Sequence, residues 1–419
     1  MIRSAANFIV SLTFCFSIFA DELNGKLDIW AVMEIARKQN PKLLAERMSV
    51  KKAVGDVVTS RLYPNPVFNN QLVVSPHSDP GSSRFSPQNT QGYFQISQPI
   101  PVAGQRTYAI ERALKSLEAE QRNVEEFERN VLYITASKWM DVWFTLERLS
   151  VIRRTADFSK ELLKVNELRM KNQVITQAEY FRTLNLVETY EATLISAEQE
   201  YKNERRNLRA LLGYEQGDFT IDSKELPALP DQEINSDDLK KKSFDLRPDY
   251  QYRISTESVA KANIRLQNAR AYPMPEFGFV ANPQNGRDFY GTYINIPIPV
   301  NNRNQGEILQ AKADLEKAEY LTDGLKKTIL AKVDNSIESF STAKINYKRI
   351  QKIFETSEKI LQTVRYGYVK GGTQIIDYLD AQRNWFDAQN RLLEAKFILQ
   401  KTYLDVLYSS GRILNWKKQ

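Results

Sequence analysis

The chain has 419 residues, of which 42% are hydrophobic and 26% charged, with a net charge of +7. Glycine and proline are scarce, at 16 each, which excludes collagen-like and low-complexity chains. Mean hydropathy is −0.48, and no apolar run beyond the N-terminus is long enough for a spanning helix, so any membrane crossing falls to strands. The charge is spread over mixed-sign stretches such as Glu125-Glu126-Phe127-Glu128-Arg129, as on solvated helix faces. No basic cluster interleaved with aromatics is present, so nucleic acid is not an expected partner.

In chain order, residues 1–20 come first. Arg3, the apolar run from Phe8 to Phe19 and the small Ala20 before Asp21-Glu22 read as a secretory signal, the alternative being a short anchor helix. Cys15, the only cysteine, lies inside this segment. The bulky Phe14 beside it speaks against a lipidation site but leaves the question open. Cleavage after Ala20 would leave a chain with no thiol.

A first repeat is expected over 21–213. Pro41 opens a helix to Leu62, proline being tolerated where the first N–H has no partner. The Tyr63-Pro64-Asn65-Pro66 run ends it. Strands follow at about 67–74 and 92–100, then a helix without proline at about 106–171. Asn172-Gln173 marks a turn, and a last helix at about 177–212 stops at Gly213. A polar linker, 214–238, is expected to wrap the outside of the helices. The same order then recurs over 239–411: a helix from Pro248 to Ala271, strands at about 276–280 and 289–298, and a long helix at about 303–370. A turn at Gly371-Gly372, a last helix at about 375–410 and a tail, 412–419, complete it.

The recurrence is a duplication. Pro99-Ile100-Pro101-Val102 returns as Pro297-Ile298-Pro299-Val300, Glu179-Tyr180 as Asp377-Tyr378 and Gly213 as Gly411, each at a spacing of 198. Tyr63-Pro64-Asn65-Pro66 returns as Tyr272-Pro273-Met274-Pro275 at a spacing of 209. The first copy thus carries about ten extra residues, around Ser75 to Ser83, where a hairpin loop absorbs them cheaply. From Pro99 onward the spacing predicts no length change between copies.

Two features set the architecture. At 1.5 Å per residue, a helix of about 66 residues spans roughly 100 Å, so it must pack along other rods. The last helices carry a seven-residue seam, Val187, Leu194, Tyr201 and Leu208, answered by Trp385, Leu392, Leu399 and Val406. The strands alternate, with Phe94 and Ile96 opposing Gln95 and Ser97. That pattern suits a sheet between lipid and water, and equally a half-buried sheet on a soluble core.

Chemistry is sparse. His77 is the only histidine, and no His/Cys metal set, Ser-His-Asp constellation or phosphate-cradling glycine loop is present. No catalytic residue, metal or cofactor is assigned, and no enzyme is expected. One acidic pair stands out. Asp377 and Asp380 share a helix face just past Gly371-Gly372, either as ordinary carboxylates near a helix N-terminus or as a pore-lining pair.

Taken together, the duplication, the order of elements, the run Gln98 to Arg106 and the run Gly371 to Ala381 make the chain resemble the TolC-like outer-membrane efflux proteins. The resemblance implies a mainly α fold with a small β part. It implies a homotrimer whose strands share one 12-strand transmembrane barrel in outer-membrane lipid and whose helices form one periplasmic tunnel. The partners it implies are a periplasmic adaptor and an inner-membrane pump of the RND type. It further implies that Asp377 and Asp380 line a pore constriction. The tip residues Arg169, Asn172, Gln173, Arg365, Gly371 and Gly372 are the candidates for docking the adaptor. Gln374 replaces a basic residue that helps close some family members. The run Pro101 to Arg106 looks like the branch paired with heavy-metal cation pumps, which leaves metal cations or drugs as substrate classes. The alternatives are a periplasmic adaptor and a structural coiled-coil envelope protein; two equivalent copies argue against the first, and the Pro-bounded amphipathic hairpins and the signal sequence against the second.

Overall fold

The computed structural model describes residues 23, 25–75, 81, 83–222, 226–230 and 232–417. The expected signal segment with Cys15, and His77 in the first hairpin loop, lie outside the described residues. In chain order the elements are β1 (Gly25–Leu27), α1 (Ile29–Gln39), α2 (Pro41–Arg61), β2 (Val67–Val74), β3 (Thr90–Pro99), α3 (Gln105–Lys171) and α4 (Gln177–Leu211). Then come β4 (Phe219–Ile221), α5 (Ser236–Leu246), α6 (Pro248–Arg270), β5 (Glu276–Gln284), β6 (Arg287–Asn295), α7 (Gln305–Val369) and α8 (Ile375–Ser409). A short 3-10 turn, Arg412–Asn415, follows.

The helices lie side by side. Each long helix runs beside a pair of shorter ones: α3 packs along α4 and α2, α7 along α8 and α6, and α3 also touches α6 and α8. The seam residues Val187, Leu208, Leu399 and Val406 are buried along these contacts. At mid-length a core gathers around Trp139 and Trp143, with Ile29, Val32 and Phe219. There the Trp139 indole donates to the Leu27 carbonyl at 3.1 Å. The linker does more than wrap the outside. Its β4 pairs in parallel with β1, and Phe219 and Ile221 enter the core.

The end of each last helix sits on the start of the first helix of its own repeat. The last carbonyls of a helix have no intrahelical partner. Asn40, which caps α2, donates to the Leu211 carbonyl at 2.7 Å. Arg247, which precedes α6, donates to the Ser409 carbonyl at 2.7 Å. Residues 211 and 409 are repeat equivalents. Gly213 and Gly411 take left-handed φ values of 86° and 78°, and a Cβ there would lie 2.9 Å from the Gln39 carbonyl oxygen and 2.6 Å from that of Leu246. The second joint is ionic. Arg129 and Arg247 are almost wholly buried, and Arg129 binds Glu126 and the Tyr408 carbonyl while Arg247 binds Asp249.

The other end carries a four-stranded antiparallel sheet in the order β2-β3-β5-β6. Two strand ends differ most from the sequence reading. β5 runs on to Gln284 because Asn285 and Gly286, with φ of 53° and 75°, make a two-residue turn that lengthens the hairpin. β6 ends at Asn295, short of Ile298, because its partner strand begins opposite at Glu276, after prolines that offer no N–H. The register puts Phe68, Ile96 and Phe279 on one face, together with Phe94, Phe277 and Ile294. All six are exposed.

The long helices also differ in length, at 67 and 65 residues. Gly104 and Asn304 cap them in the left-handed region, with φ of 76° and 60°. The next glutamine in each case, Gln105 or Gln305, accepts from the backbone N–H of residue 103 or 303. This cap is spaced by 200, so the equal lengths expected from Pro99 onward fail at the sheet end of the helix.

Burial opposes the charge of Asp249, but hydrogen bonds and charge from Arg247, with Arg129 behind it, outweigh burial and hold the carboxyl below its usual range. A carboxyl whose folded value lies below its unfolded value (about 3.9) stabilises the fold above that pH. The contribution is lost as pH falls through the folded value. Asp249→Asn is therefore expected to cost about 3 kcal/mol near neutral pH. Denaturant unfolding should show its gap from the parent closing below about pH 4; a gap independent of pH would refute the assignment.

Candidate functional site at the helical tip

The end remote from the sheet is built by two equivalent turns. Gln173 takes a left-handed φ of 59°, and Val174 N–H closes on the Arg169 carbonyl at 2.8 Å. In the second copy Gly371 takes φ of 80°, and Gly372 N–H closes on the Gly367 carbonyl at 2.8 Å. Beyond the turns the copies diverge. Thr176 and Glu179 form a reciprocal cap at the start of α4, with Thr176 N–H donating to the Glu179 carboxylate at 2.7 Å. At the start of α8, Gln374 makes no side-chain cap. Asp377, at the place of Glu179, is exposed and has no hydrogen-bond or ion-pair partner among the described residues.

A buried polar chain ties the two hairpins together. The Tyr368 hydroxyl donates to Asn166 Oδ1 at 2.8 Å, and Asn166 Nδ2 donates to the Thr183 hydroxyl at 3.0 Å. Two turns along α3, Gln382 Nε2 donates to the Ser159 hydroxyl at 2.9 Å. Tyr368 stacks on Tyr378, with ring centres 5.2 Å apart, and the Arg169 guanidinium lies over the Tyr368 ring, 4.5 Å from its centre. Burial raises the Tyr378 hydroxyl above its ordinary value.

Asp380 lines a groove of about 700 Å³ between α4 and α8, and accepts from Asn384 at 3.1 Å. The groove carries both signs: Asp380 and Asp387 on α8, with Arg383 beside them and Arg182 across on α4. Burial, with the Asp387 charge, pushes the Tyr190 hydroxyl in this groove up to about 12. Asp377 stands one turn nearer the tip, outside the groove lining.

The residues expected to dock a partner are distributed. Asn172, Gln173, Gly371 and Gly372 are exposed in the two turns, and Arg169 is held by Tyr368. Arg365 lines a separate groove of about 440 Å³ between α3, α7 and α8, with Arg154, Trp385 and Gln382. Asn166, Tyr368, Gln382 and Asp387 were not singled out from sequence. Asp387 had a signal, lying one heptad after Asp380; Asn166 and Tyr368 have no repeat-equivalent polar partners to flag them. Among the described residues no group of three His, Cys, Asp or Glu side chains could hold a metal, and no helix is long and apolar enough to cross a membrane.

A duplicated helical hairpin with a sheet at one end and a tied tip at the other defines a class of envelope channels. The family model for outer membrane efflux proteins matches residues 32–214 and 247–408. The chain belongs to that family, whose members are channels of the outer membrane that serve efflux. The cobalt-zinc-cadmium resistance protein CzcC of Cupriavidus metallidurans is 23% identical over 92% of this chain and 90% of its own. The pyoverdine export outer membrane protein OpmQ of Pseudomonas putida is 22% identical over 86% and 80%. Among solved structures, the CmeC outer membrane channel of Campylobacter jejuni superposes with a TM-score of 0.73, 15% identity, and coverage of 91% of this chain and 85% of that one. CusC superposes with a TM-score of 0.72, 15% identity, and coverage of 91% and 92%.

Removing the Tyr368 hydroxyl leaves Asn166 with a buried, unmatched acceptor, a loss of about 1–3 kcal/mol. Tyr368→Phe is expected to speed tryptic cleavage after Arg169, Lys171 and Lys370 about tenfold, with the mid-length core unchanged. Equal cleavage rates would show that the hydroxyl does not hold the tip.

Proposed function

We propose that three copies of this chain form the outer-membrane duct of a tripartite efflux system. The carrying observation is the sheet. Its outer strands β2 and β6 each leave one edge unpaired, and its apolar face is exposed. An open apolar edge is a liability unless another strand covers it. Three such sheets joined edge to edge give twelve strands and no free edge. The exposed Ile345, Ile353 and Ile360 on α7 offer the same kind of unmatched surface along the helices. A soluble core would cover the apolar sheet face with a helix, and among the described residues none packs there. The expected result is a heat-modifiable trimer in the outer-membrane fraction; a protein washed off by high salt would sink the proposal.

The tip would dock a periplasmic adaptor through its two turns and the Arg154–Arg365 groove, and the adaptor would join it to an inner-membrane pump of the RND type. The likeness to a cobalt-zinc-cadmium resistance protein supports metal cations as the substrate class. Transport through the duct is passive, with energy supplied by the pump.

Asp377 and Asp380 would form rings of carboxylates once three copies assemble, which bind cations and bias conduction. Asp377 supports this best, being exposed and without a partner among the described residues. Asp377→Ala combined with Asp380→Ala is expected to weaken block by divalent cations about tenfold, or about 1.4 kcal/mol, in single-channel recordings. Unchanged block and conductance would remove the rings from the mechanism.

A further inference from the structure

Between the strands and the long helices the two copies meet in a collar. A groove of about 460 Å³ opens there, its lining including Leu62, Arg106, Arg270, Tyr272 and Met274. Elsewhere in the chain several arginines are held by carboxylates. Arg37 and Arg47 share Glu128, Arg265 binds Glu111, and Arg247 binds Asp249. In the collar Arg61, Arg106, Arg270 and Arg303 have no ion-pair partner among the described residues. Arg106 donates instead to the Arg61 carbonyl, at 2.9 and 2.6 Å, and lies over the Tyr63 ring, 4.3 Å from its centre. Arg303 donates to the Pro299 carbonyl at 3.2 Å.

Arg61 and Arg270 sit in the last turns of α2 and α6, where each offsets a negative helix end. That role does not use up the charge. The positive ends of α3 and α7 begin at the same level, at Gln105 and Gln305. The carboxylates at this level are Glu276 and Glu307, two against four arginines. The collar is therefore a region of net positive charge. It also continues the apolar face of the sheet: Leu62 and Tyr272 are each 64% exposed, and Tyr63 is 62% exposed. Exposed aromatic and apolar side chains beside uncompensated arginines are what a membrane boundary selects, with the apolar parts among acyl chains and the guanidinium groups at phosphate level.

We propose that this groove binds the headgroup of an anionic phospholipid at the periplasmic edge of the outer membrane. Arg106 and Arg270 hold the phosphate, and Leu62 and Tyr272 contact the start of the acyl chains. The proposal rests on the barrel reading above, which places the collar at the membrane boundary.

The test uses the purified full-length protein in detergent and native mass spectrometry, with phosphatidylglycerol, phosphatidylcholine and inorganic phosphate as probes. Retention of phosphatidylglycerol well above phosphatidylcholine is expected. Arg270→Gln, at a side chain with no hydrogen bond among the described residues, should lower that retention about tenfold while leaving the heat-modifiable trimer intact; Arg106→Gln should do the same. An intact trimer that retains both lipids alike, or whose retention survives both substitutions, overturns the proposal and leaves the barrel standing. Displacement of phosphatidylglycerol by millimolar inorganic phosphate assigns the groove to free phosphate and also overturns it. Absence of a heat-modifiable trimer in the outer-membrane fraction overturns the barrel, and this proposal with it.

Discussion

The structure depends on how two short helices are made to match one long one. A rod of 67 or 65 residues needs a neighbour along its whole length, and α4 or α8, at 35 residues, covers about half. The remainder is covered by α2 or α6, which start where α4 or α8 stops and continue in the same direction. The negative end of one helix thus meets the positive end of the next, an arrangement the peptide dipoles favour. What makes the splice workable is the capping of carbonyls that would otherwise be buried without partners. Asn40 does this in the first copy; Arg247 does it in the second, with Arg129 crossing over from the first repeat. Glycine at 213 and 411 lets the chain leave the splice without colliding with the incoming carbonyl.

Much of this was legible in the residues. Proline pairs marked the sheet boundaries, glycines marked the helix stops, and the spacing of 198 tied the copies together. The splice was not legible, although both of its glycines were. Asn40 and Arg247 share no chemistry, and nothing in either residue says that it will meet a carbonyl some 170 positions away. The Asn285-Gly286 turn was a local signal overlooked beside the stronger prolines. The two-residue difference between α3 and α7 was hidden because Pro-x-Pro-Val keeps the spacing of 198, while the cap, being a backbone shape, shifts by two.

At the tip, the aspartates were legible as a pair but their inequality was not. The repeat aligns Glu179 with Asp377, yet the first carboxylate closes a cap with Thr176 and the second is left open to solvent. The difference comes from the residue three positions earlier, threonine in one copy and glutamine in the other. The Asn166–Tyr368 tie joins residues 202 apart on different repeats, so no periodicity could have exposed it.

The splice has a consequence for ancestry. Asn40 closes on residue 211 and Arg247 on residue 409, so each half of the chain supplies a cap for its own helix end, to which Arg129 of the first half adds only at the second splice. A half-length chain would already have carried the elements of the splice, and six of them around one axis would make the same tube as the three fused chains proposed above. Fusion then freed the halves to diverge. A sixfold ring must repeat every side chain six times, whereas a threefold ring of unlike halves can set Asp380 against Arg182 in alternation around the circle. On that view the duplication turned a uniform ring at the tip into one with a pattern.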